Sequence, residues 1–148
     1  MRFWDSSAIV PMLAPQRVTP IVESLLDSDP HMLVWWTTPV ECVSALTRLE
    51  REGGLSAQDV SMSLARLRAL VEAWNEIQPH PKVRATAERL LRVHPLRAAD
   101  ALQLAAALEV ADVVPSSMEF VCLDRRLGNA AAREGLMVID GDKPLARA

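Results

Sequence analysis

The sequence predicts a single α/β domain in which a central, mostly parallel β-sheet is flanked by α-helices. Three observations lead there. Short apolar runs of strand length, at Arg2–Trp4, Met32–Trp36, Phe120–Leu123 and Met137–Ile139, alternate with longer stretches of helical periodicity. That order builds parallel sheets through right-handed crossovers. The run Met32–Trp36 lacks polar alternation, the mark of a strand covered on both faces. Finally, no repeat, low-complexity tract or linker interrupts the 148 residues, a length that closes one core and buries roughly 70% of the unfolded surface.

Composition narrows the function classes. Hydrophobic residues make up 50% of the chain, so disorder is not expected. No apolar run reaches about 18 residues without a charge, so no membrane span is expected. Asp5 falls inside what would have to be the apolar segment of a signal peptide, and a cytoplasmic protein is expected. The formal net charge of −3 argues against a surface coated for indiscriminate nucleic-acid binding, although it leaves local patches open. All but two of the 16 basic residues are arginine, the side chain suited to bidentate phosphate contact. Cys42 and Cys122 lie in apolar surroundings and are expected to be buried free thiols. His31, His80 and His94 form no pair at metal-ligand spacing, so zinc is not expected.

Taken in order, the first strand ends on Asp5, and Ser6 and Ser7 open a short helix before Pro15. Asp5 is thus a strand-end acid or a helix cap. Val18, Ile21, Val22, Leu25 and Leu26 then mark an amphipathic helix. In the second strand Trp35 and Trp36 are expected in the core, because nothing polar interleaves them. The following helix takes Thr38 as cap, Pro39 as first residue and Gly53–Gly54 as stop. Glu41 would complete a capping box there. It shares a face with Ser44, Ala45 and Arg48, opposite the apolar face of Cys42, Val43, Leu46 and Leu49.

Ser56 opens another capped helix, with Val60, Leu64, Leu67, Val71 and Trp74 in its stripe. Antiparallel pairing with the preceding helix is expected, and part of the stripe is available to a dimer. Residues 77–81 read as a short strand or turn, and Val83–Leu91 as a further helix. Ala98–Leu108 is apolar on nearly every face, the pattern of a helix buried on all sides. Its first turn contains Asp100, which has local explanations in the helix N-terminus and in a pairing with Arg97. The last strand–helix–strand passage runs from Phe120 through Asp124 to a stop at Gly135 and ends at Ile139. The domain is expected over residues 1–140, with 141–148 a frayed tail.

Asp5 and Asp124 each follow a strand and open a helix, where open parallel sheets place their ligand crevice. Glu41 follows the second strand by five residues and Asp100 sits in the first turn of the buried helix, so all four can converge on one end of the sheet. Two carboxylates about 5 Å apart repel by roughly 3 kcal/mol at an effective dielectric of about 20. Four together must therefore bind protons or a cation. Oxygen-only ligands select a hard ion, magnesium or manganese. Such an ion activates water for phosphodiester hydrolysis without a protein nucleophile.

Four motifs carry a resemblance: WDSSAIV, TTPVECVSAL, LRAADALQLAAA and FVCLDRRLGNAA, in that order and spread over nearly the whole chain. Together they strongly resemble the PIN-domain nucleases, and among them the VapC-type ribonuclease toxins of toxin–antitoxin pairs. The resemblance implies a PIN-like fold with Asp5, Glu41, Asp100 and Asp124 as the acidic site for Mg2+ or Mn2+. Ser7 falls on the small polar residue that supports the site, and Arg97 and Arg125 fall beside it, available to phosphate or to surface ion pairs. An RNA substrate, a cognate antitoxin and a homodimer are further implications. The departures, Trp4 and the Trp35–Trp36 pair, do not touch the proposed ligands. Two other readings stand beside this one. A non-catalytic RNA- or partner-binding module would use the acids as caps and ion pairs. An α/β phosphatase would use Asp5 as nucleophile, although Ser7 stands where haloacid-dehalogenase-type enzymes have their second Asp.

Overall fold

The apolar run at the start of the chain becomes the centre of the sheet. In the computed structural model, which describes residues 1–113 and 118–141, β1 (Arg2–Trp4) lies between β2 (Met32–Trp35) and β4 (Glu119–Val121). β3 (Asn75–Ile77) and β5 (Met137–Ile139) form the edges, giving the order β3-β2-β1-β4-β5. Every neighbouring pair is parallel, so the described sheet is wholly rather than mostly parallel. The helices that return the chain between strands are α1 (Ser6–Leu13), α2 (Thr19–Ser28), α3 (Thr38–Arg51), α4 (Ala57–Ala73), α5 (Pro81–Val93), α6 (Ala98–Val113) and α7 (Arg125–Arg133).

Alternation along the short strands divides the core into two layers. Trp4, Met32, Val34 and Val121 face α1 to α4 and pack with Ile9, Leu13, Leu25, Cys42 and Leu46. Phe3, Leu33, Trp35 and Phe120 face the opposite layer, with Leu90, Leu104 and Leu127. Phe3 and Phe120 stack at 5.8 Å between ring centroids. On α6, Ala101, Ala105, Ala106 and Ala107 are all buried, in the same layer as Leu104. Arg2 is also buried; its guanidinium meets Glu119, its cross-strand neighbour, at 2.7 Å and Ser28 at 2.7 Å. A buried charge tolerated in this way needs both partner and hydrogen bonds.

Several local expectations shift. Trp35 is buried, but β2 ends there and Trp36 stands 51% exposed, so it is not a core residue. The cap of α3 is Thr37, one residue early, and it makes no side-chain cap bond. The capping box expected around Glu41 is therefore absent, and the box that does form joins Ser56 to Asp59 at the start of α4. β3 begins at Asn75, ahead of the predicted segment, because an edge strand needs no continuous apolar run. The frayed tail expected from Gly141 lies, beyond that residue, outside the described residues.

The chain leaves β1 for β2 on one side and returns to β4 on the other, so the strand order reverses beside β1. The carboxyl ends of β1 and β4 bound the crevice that such a reversal opens.

Candidate metal centre

Asp5 is the first residue past β1, and its N–H still donates to Val121 O at 3.0 Å. Its extended backbone makes it the N-cap of α1, where Oδ2 accepts the Ser7 N–H at 2.9 Å and the Ser7 hydroxyl. Only 3% of the residue is exposed. Burial pushes the carboxyl up to about 6; the Ser7 bonds oppose this, and the charges of Glu41 and Asp100 add to it.

The other acids arrive from separate elements. Asp124, three residues past the end of β4 and beyond the strand the sequence predicts to reach Leu123, caps α7 through Oδ1, which accepts the Leu127 N–H at 2.9 Å. Glu41, in the first turn of α3, accepts the Thr37 hydroxyl on Oε1 at 2.8 Å and the Ser6 hydroxyl on Oε2 at 3.2 Å. Asp100, in the first turn of α6, accepts the backbone N–H of Arg97 on Oδ2 at 3.3 Å. All four acids line one cavity of about 370 Å³, whose walls also include Ser6, Ser7, Gln16, Ser44 and Arg48.

Capping explains part of this arrangement. It occupies Oδ2 of Asp5 and Oδ1 of Asp124, leaving the second oxygen of each without a hydrogen-bond partner among the described residues. Oδ1 of Asp100 is likewise unpartnered. A helix cap uses one oxygen, so three carboxylates retain a lone-pair face for something else. The donor set is oxygen only, which fits a hard divalent ion. Among the described residues no three His, Cys, Asp or Glu side chains stand close enough together to hold a metal ion as they are placed. The acids ring an open cavity instead, a form suited to an ion that keeps several of its waters. Both cysteines are free and buried, and burial pushes the Cys42 thiol up to about 12 and raises that of Cys122 as well. Neither supplies a thiolate.

Of the residues flagged beside the acids, Ser7 is at the centre of the network. Its hydroxyl also accepts the N–H groups of Leu123 and Asp124, at 2.9 and 3.2 Å. Arg97 meets Asp100 through its backbone, and its side chain does not line the cavity. Arg125 is exposed and lines a neighbouring hollow with Asp124. Two arginines missed by motif reading stand closer. Arg48 lines the acid cavity, and Arg126 lies 3.8 Å from Asp100. The face that Arg48 shares with Glu41 was a usable signal, whereas nothing in the spacing separates Arg126 from Arg125. Ser6 and Thr37, the hydroxyl donors to Glu41, were also missed.

No family model and no curated protein matches the sequence. Solved structures do share its fold. A crystal structure of FitAcB from Neisseria gonorrhoeae superposes with a TM-score of 0.70 at 18% identity, covering 95% of this chain and 98% of that one. A toxin–antitoxin complex from Klebsiella pneumoniae gives 0.62 at 14% identity, with 97% and 100% covered. VapBC-1 from nontypeable Haemophilus influenzae gives 0.63 at 13% identity, with 96% and 98% covered. With its wholly parallel five-stranded sheet and seven described helices, the chain has the PIN-like α/β fold that its four motifs indicated.

Proposed function

We propose that this chain is a divalent-metal-dependent endoribonuclease, acting as the toxin of a toxin–antitoxin pair. The observation that carries the reading is Asp5: a carboxylate buried at the strand-order reversal, tied through one oxygen, with three further acids around the same cavity. An uncompensated charge there costs stability unless a proton or cation answers it. The fold shared with chains of toxin–antitoxin complexes supports the biological setting.

On this reading Asp5, Glu41, Asp100 and Asp124 would hold Mg2+ or Mn2+. The ion would supply a water of lowered pKa and charge neutralisation at the phosphate. The chain's own residues do the positioning. Ser7 holds Asp5 and the Asp124 backbone in one frame, and the Ser6 and Thr37 hydroxyls fix both oxygens of Glu41. Arg48 places positive charge at the cavity wall, and Arg126 places it 3.8 Å from Asp100, where a phosphodiester must approach past four acids. A cognate antitoxin and a second copy of the chain are the partners this reading assigns.

The test is cleavage of a mixed cellular RNA pool by purified protein in Mg2+ or Mn2+ against chelator, with Asp100→Asn alongside. Metal-dependent cutting abolished by the substitution is expected. Cutting that survives both chelator and substitution, or none at all from folded, antitoxin-free protein, would count against the nuclease.

A further inference from the structure

Beyond the acids, positive charge gathers along α7 and the facing part of α5. Arg125, Arg126, Asn129 and Arg133 line a hollow of about 460 Å³ with His94 and Pro95. At about 100° per residue these four positions fall within an arc of about 100°, and the rise from Arg125 to Arg133 is about 12 Å. Arg89 reaches from α5 to Glu134 at 2.6 Å and shares the next hollow with Arg92 and Glu88.

Five arginines thus stand against two glutamates, on a chain whose formal net charge is −3. The chain carries 19 acidic residues, yet Arg92, Arg125 and Arg133 have no ion-pair partner among the described residues. The strip also abuts the acid cavity. Arg125 shares a hollow with Asp124, and Arg126 reaches to 3.8 Å from Asp100.

We propose that this face of α7 is the track along which an RNA strand leaves the acid cavity, its phosphates bound by Arg125, Arg126 and Arg133. The inference rests on the nuclease reading. Unpaired guanidinium groups on one helical face, in register with an adjoining cavity, match a polyanion of regular repeat. A stacked strand rises ~3.4 Å per nucleotide, so about 12 Å of helix meets three or four nucleotides. Arginine binds such phosphates bidentately.

The test is anisotropy of a labelled, mixed-sequence single-stranded RNA, titrated with protein in EDTA over a range of salt. Wild type is compared with Arg125→Gln/Arg133→Gln and with Arg51→Gln/Arg68→Gln, which removes the same charge from exposed positions on α3 and α4. Glutamine preserves the helices, and melting temperatures check the fold. Each phosphate contact contributes about 0.7 to the slope of log affinity against log salt for single strands. The α7 pair should lower that slope by about 1.4 and weaken low-salt binding about tenfold or more. Arg133→Gln alone should give about half the slope change, while the control pair keeps the wild-type slope.

Equal losses from both pairs, or none from the α7 pair, overturn the track and leave the nuclease reading standing. If the α7 pair loses affinity for a poly-glutamate peptide and not for RNA, the surface belongs to an acidic protein and the track is again overturned. Wild type that neither binds the RNA nor cuts it with Mn2+ removes the nuclease reading itself, and the track with it.

Discussion

The hydroxyl of Ser7 donates to Oδ2 of Asp5, and its two lone pairs accept the N–H groups of Leu123 and Asp124. One side chain, with its bonding capacity filled, fastens the end of β1 to the segment between β4 and α7 across the strand-order reversal. Ser7→Ala would leave two part-buried N–H groups without their acceptor and deprive Asp5 of a charge-assisted bond. The expected cost is about 1–3 kcal/mol, read by urea unfolding. Mn2+ affinity, read by calorimetry, should fall too, because Oδ2 is no longer held. Ser7→Thr, which keeps the hydroxyl, should recover most of both losses. A Ser7→Ala protein with wild-type stability and Mn2+ affinity would show that this bridge is incidental.

Asp5 makes the metal-free protein sensitive to pH in a direction opposite to the usual salt-bridged acid. Its folded pKa of about 6 lies above the unfolded value, so the folded state prefers the protonated form. Below about pH 4 the residue is protonated in both states and imposes no penalty. As pH rises through about 6 the native state must carry the buried charge, at about 3 kcal/mol for two pKa units. Asp5→Asn removes that dependence. In EDTA the stability difference between Asp5→Asn and wild type should therefore grow in favour of the variant between about pH 4 and pH 6, then level off. A difference that stays flat over this window would mean that Asp5 is not desolvated in solution. Added Mn2+ should close the gap from the wild-type side alone.

The acids that end strands were legible because an apolar run followed by an acid and a helical pattern marks the same place twice: a strand end and a helix cap. Asp5 occupies such a place, whereas Asp124 caps α7 three residues past β4, because the apolar run outlasts the strand. Helix phase was the weaker signal. Shifting the cap of α3 from Thr38 to Thr37 turns Glu41 from a capping-box partner into an acceptor of two hydroxyls. One residue of rotation on α7 likewise decides that Arg126, rather than Arg125, approaches Asp100, since neighbours on a helix differ by about 100°. Trp36 was misplaced because an apolar run does not say where pairing stops; β2 ends one residue earlier. Sheet order belongs to tertiary packing, and no pattern in the chain states that β4 lies beside β1.

Gln103 is the one polar side chain on the buried face of α6, 1% exposed and one turn beyond Asp100. Its amide NH2 donates to Thr38 Oγ1 at 3.1 Å, while its Oε1 has no partner among the described residues. The bond ties α6 to the start of α3, and so joins the elements that carry Asp100 and Glu41. Thr38→Val should strand the whole amide and cost about 1–3 kcal/mol. Gln103→Met, apolar and of similar length, removes the unmet Oε1 together with the NH2, leaves only the Thr38 hydroxyl without its partner, and should cost less than Thr38→Val or raise stability. Paired urea unfolding curves decide the order. If Gln103→Met is the more destabilising, the amide has a partner beyond those described, and a buried water is the first to look for.

Asp124 holds two roles that substitution can separate. Its Oδ1 caps α7, and its Oδ2 is left for the cavity. Asparagine caps a helix about as well as aspartate, whereas alanine forfeits about 1 kcal/mol. Asp124→Asn should therefore leave the metal-free melting temperature near wild type, and Asp124→Ala should lower it by several degrees. Toward the ion the two should behave alike, because a neutral amide replaces a carboxylate poorly around a hard cation. Both should lose the stabilisation by Mn2+ that is expected of wild type in thermal melts. An Asp124→Asn protein that still gains the full wild-type shift with Mn2+ would assign Asp124 to the cap alone, leaving Asp5, Glu41 and Asp100 as the acids available to the ion.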